Sequence, residues 1–379
     1  MHHRRTRRLV ALATAAALAV GGLAACGGKS STTTSATSGG SGTGTSASGG
    51  KSGTIALLLP ENKTTRYESQ DKPLFERNMR TLCPNCKIIY SNAQQDASKQ
   101  QSQAEAAITN GAKVLVLDAV DSKAAAAIVT RAKQSGIGVV AYDRPVESSD
   151  VDFFVSFDNR RVGELQGRAL VARLRADGRS GSIVMINGSP TDPNAAQFKA
   201  GAHSVIDSSG YRVAKEYDTP DWSPDQAQTE MDQAISALGR TGFVGVYAAN
   251  DGTAGGAIAS MRSAGIDPAT RPTTGQDAEL AGIQRIVAGQ QYMTVYKAVK
   301  QEAAVAAKLT MTVLNGQASS PLVNAHVNNG KKAVPSVILT PVAVTVRNIR
   351  DTVVRDGYWT VAQICTSAYA AACARAGLR

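Results

Sequence analysis

The residues able to do chemistry gather where apolar runs stop. Asp143 and Arg144 follow G-V-V-A-Y, Asn250 and Asp251 follow F-V-G-V-Y-A-A, Gln276 and Asp277 follow a short run near 273, and Lys297 follows M-T-V-Y. Carboxylates accept hydrogen bonds, guanidinium and ammonium groups donate them, and amides do both. Each residue alone also suits a helix cap or a surface charge. Four such ends together point to one polar cleft, because open parallel sheets bind ligands beyond the carboxyl ends of their strands. A glycoside-acting enzyme using Asp143 and Asp277 as paired carboxylates is the rival chemistry. Basic neighbours oppose it, since they lower a carboxyl pKa and remove the general acid. There is no G-x-S-x-G elbow, and His2, His3, His203 and His326 have no metal-ligand spacing. The sequence therefore predicts a binding protein without catalytic residues, metal or cofactor.

The N-terminus assigns a compartment. M-H-H-R-R-T-R-R precedes the apolar run L-V-A-L-A-T-A-A-A-L-A-V and then L-A-A-C, ending at Cys26. That order reads as a signal peptide over 1–25, too short and Ala-rich for a membrane span. Residues 26–52 are almost wholly Gly, Ser, Thr and Ala, a composition that cannot offset its ordering entropy, so they read as a flexible tether. Removing the four leader arginines leaves 37 basic against 30 acidic residues, a net +7. These charges are scattered and not interleaved with aromatics, so no nucleic-acid partner is expected. Four further cysteines occur as C-P-N-C (Cys83, Cys86) and near the end (Cys365, Cys373). Outside the membrane, structural disulfides are the default, with local pairs expected. A four-cysteine zinc site and a redox dithiol are the alternatives, although C-P-N-C follows a helix where a redox motif would precede one.

Stepping along the chain, β-rich runs at 54–60, 87–90, 113–118 and 138–143 alternate with helical patterns at 72–82, 97–110 and 121–135. The runs are continuously apolar, which implies strands buried on both faces of a parallel sheet flanked by helices. After F-F-V-S-F-D-N (153–159) the pattern restarts, with helices at 160–176, 194–207, 225–238, 253–263 and 279–288. Strands are expected between them at 182–187, 211–217, 243–250, 273–276 and 292–297. So many βα units favour two similar α/β domains over one.

Seven ordered stretches resemble the type I periplasmic sugar-binding proteins, and within them the xylose-binding branch. They are A-Y-D-R (141–144), S-F-D-N-R-R-V-G-E-L-Q (156–166), G-S-P-T-D-P-N-A (188–195), A-N-D-G-T-A-G-G-A-I (249–258), G-Q-D-A-E-L-A-G-I-Q-R-I-V-A-G (275–289), M-T-V-Y-K (293–297) and V-P-S-V-I-L-T-P (334–341). The resemblance spans roughly 54–358. It implies two Rossmann-like lobes joined by three crossing segments near 157–159, 296–299 and 337–341. The first lobe would comprise 53–157 plus 299–337, regaining a helix at 299–314; the second would comprise 158–298 plus 338–379.

The resemblance also implies sugar contacts at Arg66, Asp143, Arg144, Asn194, Trp222, Asn250, Asp277 and Lys297. A sugar has an apolar face and a rim of hydroxyls, which suits a tryptophan platform surrounded by charged donors and acceptors. Trp222 lies in T-P-D-W-S-P-D, a polar loop after a strand, which favours the cleft over the core. Tyr67 replaces the tryptophan that the family pattern places beside the first arginine, leaving more room; xylose is the first expectation and glucose the second. L-A-A-C resembles a lipobox, so the resemblance implies a lipid on Cys26, anchorage at the outer face of the cell membrane, and an ABC permease with its ATPase as partners. A monomer is expected. Lobes of this kind also serve as sugar or signal receptors that feed a membrane sensor.

Overall fold

The computed structural model describes residues 52–378; the leader, Cys26 and all but the last residue of the tether lie outside that range. The first half runs β1 (Thr54–Leu59), α1 (Lys72–Leu82), β2 (Lys87–Asn92), α2 (Ala97–Thr109), β3 (Ala112–Leu117), α3 (Ala126–Gln134), β4 (Gly138–Tyr142) and β5 (Phe153–Phe157). The second adds α4 (Asn159–Ala176), β6 (Ser182–Asn187), α5 (Pro193–Ile206), β7 (Arg212–Asp218), α6 (Pro224–Leu238), β8 (Gly245–Ala248), α7 (Asp251–Ser263), α8 (Leu280–Val287) and β9 (Met293–Tyr296). The chain then returns through α9 (Val299–Leu314), β10 (Ala325–Asn328) and β11 (Ala333–Leu339), and finishes with β12 (Val342–Thr345), α10 (Val361–Ile364) and α11 (Ala370–Arg375).

Apolar continuity places the strands as expected. In β1, five of six residues are fully buried, and the sheet it belongs to has the order β10-β11-β5-β4-β3-β1-β2. All its pairings are parallel except the β10–β11 edge. One face packs Ile55, Leu57 and Val140 against Phe75 of α1 and Ala306 of α9; the other packs Leu58, Leu115 and Val139 against α2 and α3. A second parallel sheet, β7-β6-β8, lies between a layer containing Leu170 and Phe198 and one containing Met231 and Ile258. The chain leaves the first sheet after β5, re-enters it through α9, and leaves it again between β11 and the antiparallel β12–β9 pair.

Two details position the site. Helices α4 and α5 touch backbone to backbone: a Cβ on Gly163 would stand 1.9 Å from the Phe198 carbonyl oxygen, and one on Gly201 would stand 2.0 Å from that of Arg160. Only glycine permits this approach, which brings the start of α5 beside the first sheet. The strand expected at 273–276 is instead a single bridge, Val246 to Thr273. Thr274 explains the interruption, because its hydroxyl accepts from the Ala248 N–H (2.9 Å) and donates to the Ala248 carbonyl (2.9 Å) in place of a backbone ladder. The helix expected at 121–135 likewise starts at Ala126, since Asp121 accepts from the N–H groups of Lys123 and Ala124 in a turn.

Candidate functional site

Arg66, Tyr67, Asp143, Arg144, Asn194, Trp222, Asn250, Asp277 and Lys297 all line one narrow cleft. The turn after β1 supplies Arg66 and Tyr67, and the end of β4 supplies Asp143 and Arg144. Asn194 opens α5, Trp222 ends a turn between β7 and α6, and Asn250 caps α7 by accepting from the Thr253 N–H at 2.8 Å. Helix capping and cleft lining thus coincide in Asn250. A larger surface groove of about 1050 Å3 beside Asn187 and Asp218 contains none of the nine; it shares only Asp192 with the cleft.

Three buried cations organise the cleft. Arg66, 1 % exposed, pairs with Asp143 and lies 2.9 Å from Asp71, 3.4 Å from Asp277 and 3.6 Å from Glu302. Lys297 stands 3.1 Å from Asp277 and 3.6 Å from Asp143, at the second passage of the chain between sheets. Burial alone would raise the Asp143 carboxyl, but Arg66, Lys297 and Arg144 outweigh it and hold the pKa at about 2. A carboxyl held there is an acceptor at any physiological pH and donates no proton. Arg144 is itself fixed by Asp192 (3.1 Å), Asp118 (3.6 Å) and Glu61 (3.7 Å). The Tyr67 hydroxyl donates to Asp143 at 3.1 Å and accepts from Arg144 at 3.3 Å, while its ring lies under the Arg66 guanidinium at 4.6 Å.

Three of the nine residues hold left-handed backbone: Asp143 (φ 54), Trp222 (φ 54) and Asp277 (φ 85). Such conformations cost on the order of 1 kcal/mol or more outside glycine and collect at functional sites. Here each turns a side chain off the end of a strand or turn into the cleft. The Trp222 ring packs edge-on to Phe198, with centroids 6.2 Å apart, and its N–H donates to Asp192 at 3.2 Å. It belongs both to the second core and to the cleft wall.

Asn194 Oδ1 and Gln276 Oε1 are buried acceptors without a partner, while Asp143 Oδ1 and Asp277 Oδ1 meet only cations, Lys297 and, for Asp277, Arg66. All these residues line the cleft. Buried acceptors left unmatched cost roughly 1–3 kcal/mol each, so the cleft is complementary to a molecule rich in hydroxyl donors.

The comparisons with known proteins agree with this architecture. The periplasmic binding protein domain matches residues 55–318. The D-xylose-binding periplasmic protein of Escherichia coli is 38% identical over 308 residues, covering 80% of this chain and 90% of that protein. The chain belongs to the periplasmic binding protein family. The multiple sugar-binding periplasmic receptor ChvE of Rhizobium radiobacter is 31% identical over 329 residues, 82% of this chain and 92% of its own length. A crystal structure of an ABC transporter solute-binding protein from Clostridium phytofermentans with bound β-D-glucose superposes with a TM-score of 0.74 at 27% identity, covering 82% of this chain and 99% of that one. The type I fold, with two α/β lobes and three crossings, is thus shared, and this periplasmic binding protein is not an enzyme.

Four further residues of this binding protein's cleft stand outside the nine, and of these only Gln276 was marked in the sequence, as a polar residue at a strand end. Asp192, Phe198, Gln276 and Thr64 also line it. Asp192 reads in sequence only as the cap of α5, which it is, accepting from the Asn194 N–H at 2.9 Å. Gln276 stood beside Asp277 at a strand end and carried the same signal. Asp71 and Glu302, which face Arg66 from behind, sit within helical stretches and carry none. The cysteines join Cys83 to Cys86 and Cys365 to Cys373, and none of the four lines the cleft. Among the described residues, no group of three or more His, Cys, Asp or Glu is arranged to hold a metal, and no helix is long and apolar enough to cross a membrane.

Proposed function

We propose that this protein is an extracytoplasmic substrate-binding lipoprotein of an ABC importer that closes its two lobes around one monosaccharide, xylose first and glucose second. The carrying observation is the convergence of nine residues from both lobes on one cleft, with the side-chain oxygens of Asn194 and Gln276 unmatched there. Arg66, Tyr67, Asp143 and Arg144 approach from the first lobe (53–157 plus 299–337). Asn194, Trp222, Asn250 and Asp277 approach from the second (158–298 plus 338–379), and Lys297 sits at the hinge. Closure is supported by bonds across the cleft: Asn194 Nδ2 donates to the Asp143 carbonyl at 2.9 Å, and the Thr65 N–H donates to Glu279 at 3.0 Å. The Trp222 ring suits the apolar face of a pyranose, and the acceptors suit its hydroxyls. The relatives' ligands, xylose and glucose by their names, support the same class. The protein is anchored through a lipid on Cys26, acts as a monomer, and hands its sugar to a permease driven by its ATPase.

A receptor role is the second reading, favoured by the similarity to a periplasmic receptor; the same closed form would then dock to a membrane sensor. Calorimetry on the mature protein with a panel of aldopentoses and aldohexoses tests the assignment. One aldose should bind with a one-to-one ratio, and Asp277→Ala should weaken it by about tenfold or more through loss of a charged acceptor. If no aldose binds at millimolar concentration, or if Asp277→Ala binds as tightly as the parent, the assignment fails.

A further inference from the structure

The chain does not end where its resemblance to sugar-binding proteins ends, at residue 358. Beyond β12 it runs through Tyr358 and Trp359 into α10 and α11, and this segment packs against α8 and the β12–β9 pair. Two consecutive residues in front of it, Asp277 and Ala278, both hold left-handed backbone, with φ of 85 and 48. Their carbonyl groups are captured from behind: Tyr358 donates its hydroxyl to the Asp277 carbonyl at 3.2 Å, and Trp359 donates its indole N–H to the Ala278 carbonyl at 2.8 Å. Both aromatic residues are buried, and Tyr358 is wedged between the rings of Tyr296 (5.1 Å) and Trp359 (5.3 Å).

The other side of the turn is held by the second lobe itself. The Asp277 N–H donates to the Val295 carbonyl at 2.8 Å, and the Glu279 N–H donates to Asp251 at 2.9 Å. The turn is therefore clamped between β9 and the C-terminal segment. That segment is fastened in turn: Gln284 of α8 donates to the Gln363 carbonyl at 3.2 Å, and the Cys365–Cys373 bond closes the loop that follows. Tyr358 also reaches the opposite wall, since its carbonyl accepts from Gln70 at 3.3 Å, next in sequence to the Asp71 that pairs with Arg66.

We propose that Tyr358 and Trp359 are positioning residues of the cleft, which hold the left-handed Asp277–Ala278 turn so that the Asp277 carboxylate meets the ligand. The proposal rests on the reading that Asp277 contacts the sugar. An alternating pair of residues in extended backbone would point the carboxylate elsewhere; two aromatic donors aimed at successive carbonyls fix the one conformation that does not.

A double-mutant cycle tests this, using calorimetry with the aldose that the parent binds best. Tyr358→Phe keeps the ring and loses only the hydroxyl donor, and should weaken binding about threefold to tenfold. In an Asp277→Ala background the same substitution should cost nothing further, because the group it positions is gone. Trp359→Phe, which loses the indole donor, is the second variant and should behave alike. A merely structural role predicts a lowered melting temperature with unchanged affinity, or an equal affinity loss in both backgrounds; either outcome for both variants overturns the proposal. If Asp277→Ala alone binds like the parent, the cleft assignment falls and takes this inference with it. A weakened Asp277→Ala beside unaffected Tyr358→Phe and Trp359→Phe sinks the positioning role only.

Discussion

Gly188→Ala tests how the cleft is shaped. Gly188 lies at the end of β6, where a Cβ would stand 2.0 Å from Cη2, 2.4 Å from Cζ2 and 2.5 Å from Cζ3 of Trp222. Ordinary carbon contacts begin near 3.4 Å, so the ring edge must move by about 1.4 Å. Retreat is blocked on the other sides: Phe198 packs against the ring, Asp192 holds its N–H, and Trp222 is 4 % exposed. Gly188 lies outside the cleft, facing the neighbouring groove, so the displaced ring moves towards the ligand. Overpacking a buried site costs roughly 1–3 kcal/mol, and here the relieving motion narrows the cleft that Trp222 lines. Affinity for the best aldose should therefore fall about tenfold or more. The loss should be greater for a hexose than for the matching pentose, because the hexose carries one more carbon into the narrowed space. Calorimetry gives the affinities, and circular dichroism checks that the fold persists. Parent-like affinity with an intact fold would refute the claim that Gly188 sets the ring's position.

Three other outcomes follow from the same structure. Burial first, then Asp251 and Asp277, push the Glu279 carboxyl up to about 8 from an ordinary value of 4.5. A raised native pKa means that the folded protein holds the proton more tightly, so its stability is fully present below about pH 4.5 and declines as pH rises towards 8. Glu279→Gln keeps an acceptor for the Thr65 N–H and cannot ionise. Its melting temperature should match the parent near pH 4 and exceed it by roughly 2–6 °C near pH 8.5, and a pH-independent difference would contradict the assignment. Cys26→Ala should move the protein from the membrane fraction to the medium, because a chain without its lipid keeps no stable anchor; unchanged membrane retention would rule out lipidation there. Trp222→Ala should weaken sugar binding at least about tenfold through lost stacking, measured by calorimetry, and unchanged affinity would remove the ring from the site.

Most elements follow the local pattern, with the expected strand at 273–276 reduced to a bridge and the expected helix at 121–135 starting at Ala126. Continuous apolar runs such as T-I-A-L-L-L identify strands buried on both faces, because a sheet covered by helices leaves no polar side. The same runs locate their own ends, and with them Asp143, Asn250, Asp277 and Lys297. Arg66 and Trp222 needed the resemblance, since nothing periodic marks a loop residue as ligand-facing. The tertiary structure decided the rest, for reasons of distance and dielectric. Glu302 becomes a partner of Arg66 only because α9 crosses back to the first sheet, 236 positions along the chain. Asp143 and Glu279 are chemically alike in sequence, yet one is held at about 2 and the other rises to about 8. Their difference is the charge that folding places beside each buried carboxyl: Arg66, Lys297 and Arg144 around Asp143, but Asp251 and Asp277 near Glu279. The left-handed turns at Asp143, Trp222 and Asp277 were equally hidden, because tryptophan has no local preference for that backbone and aspartate adopts it only occasionally. At Asp277 and Ala278 it is met by hydrogen bonds from a distant segment, those of Tyr358 and Trp359 to the two carbonyls, and such a turn persists where these contacts stabilise it by more than the strain costs.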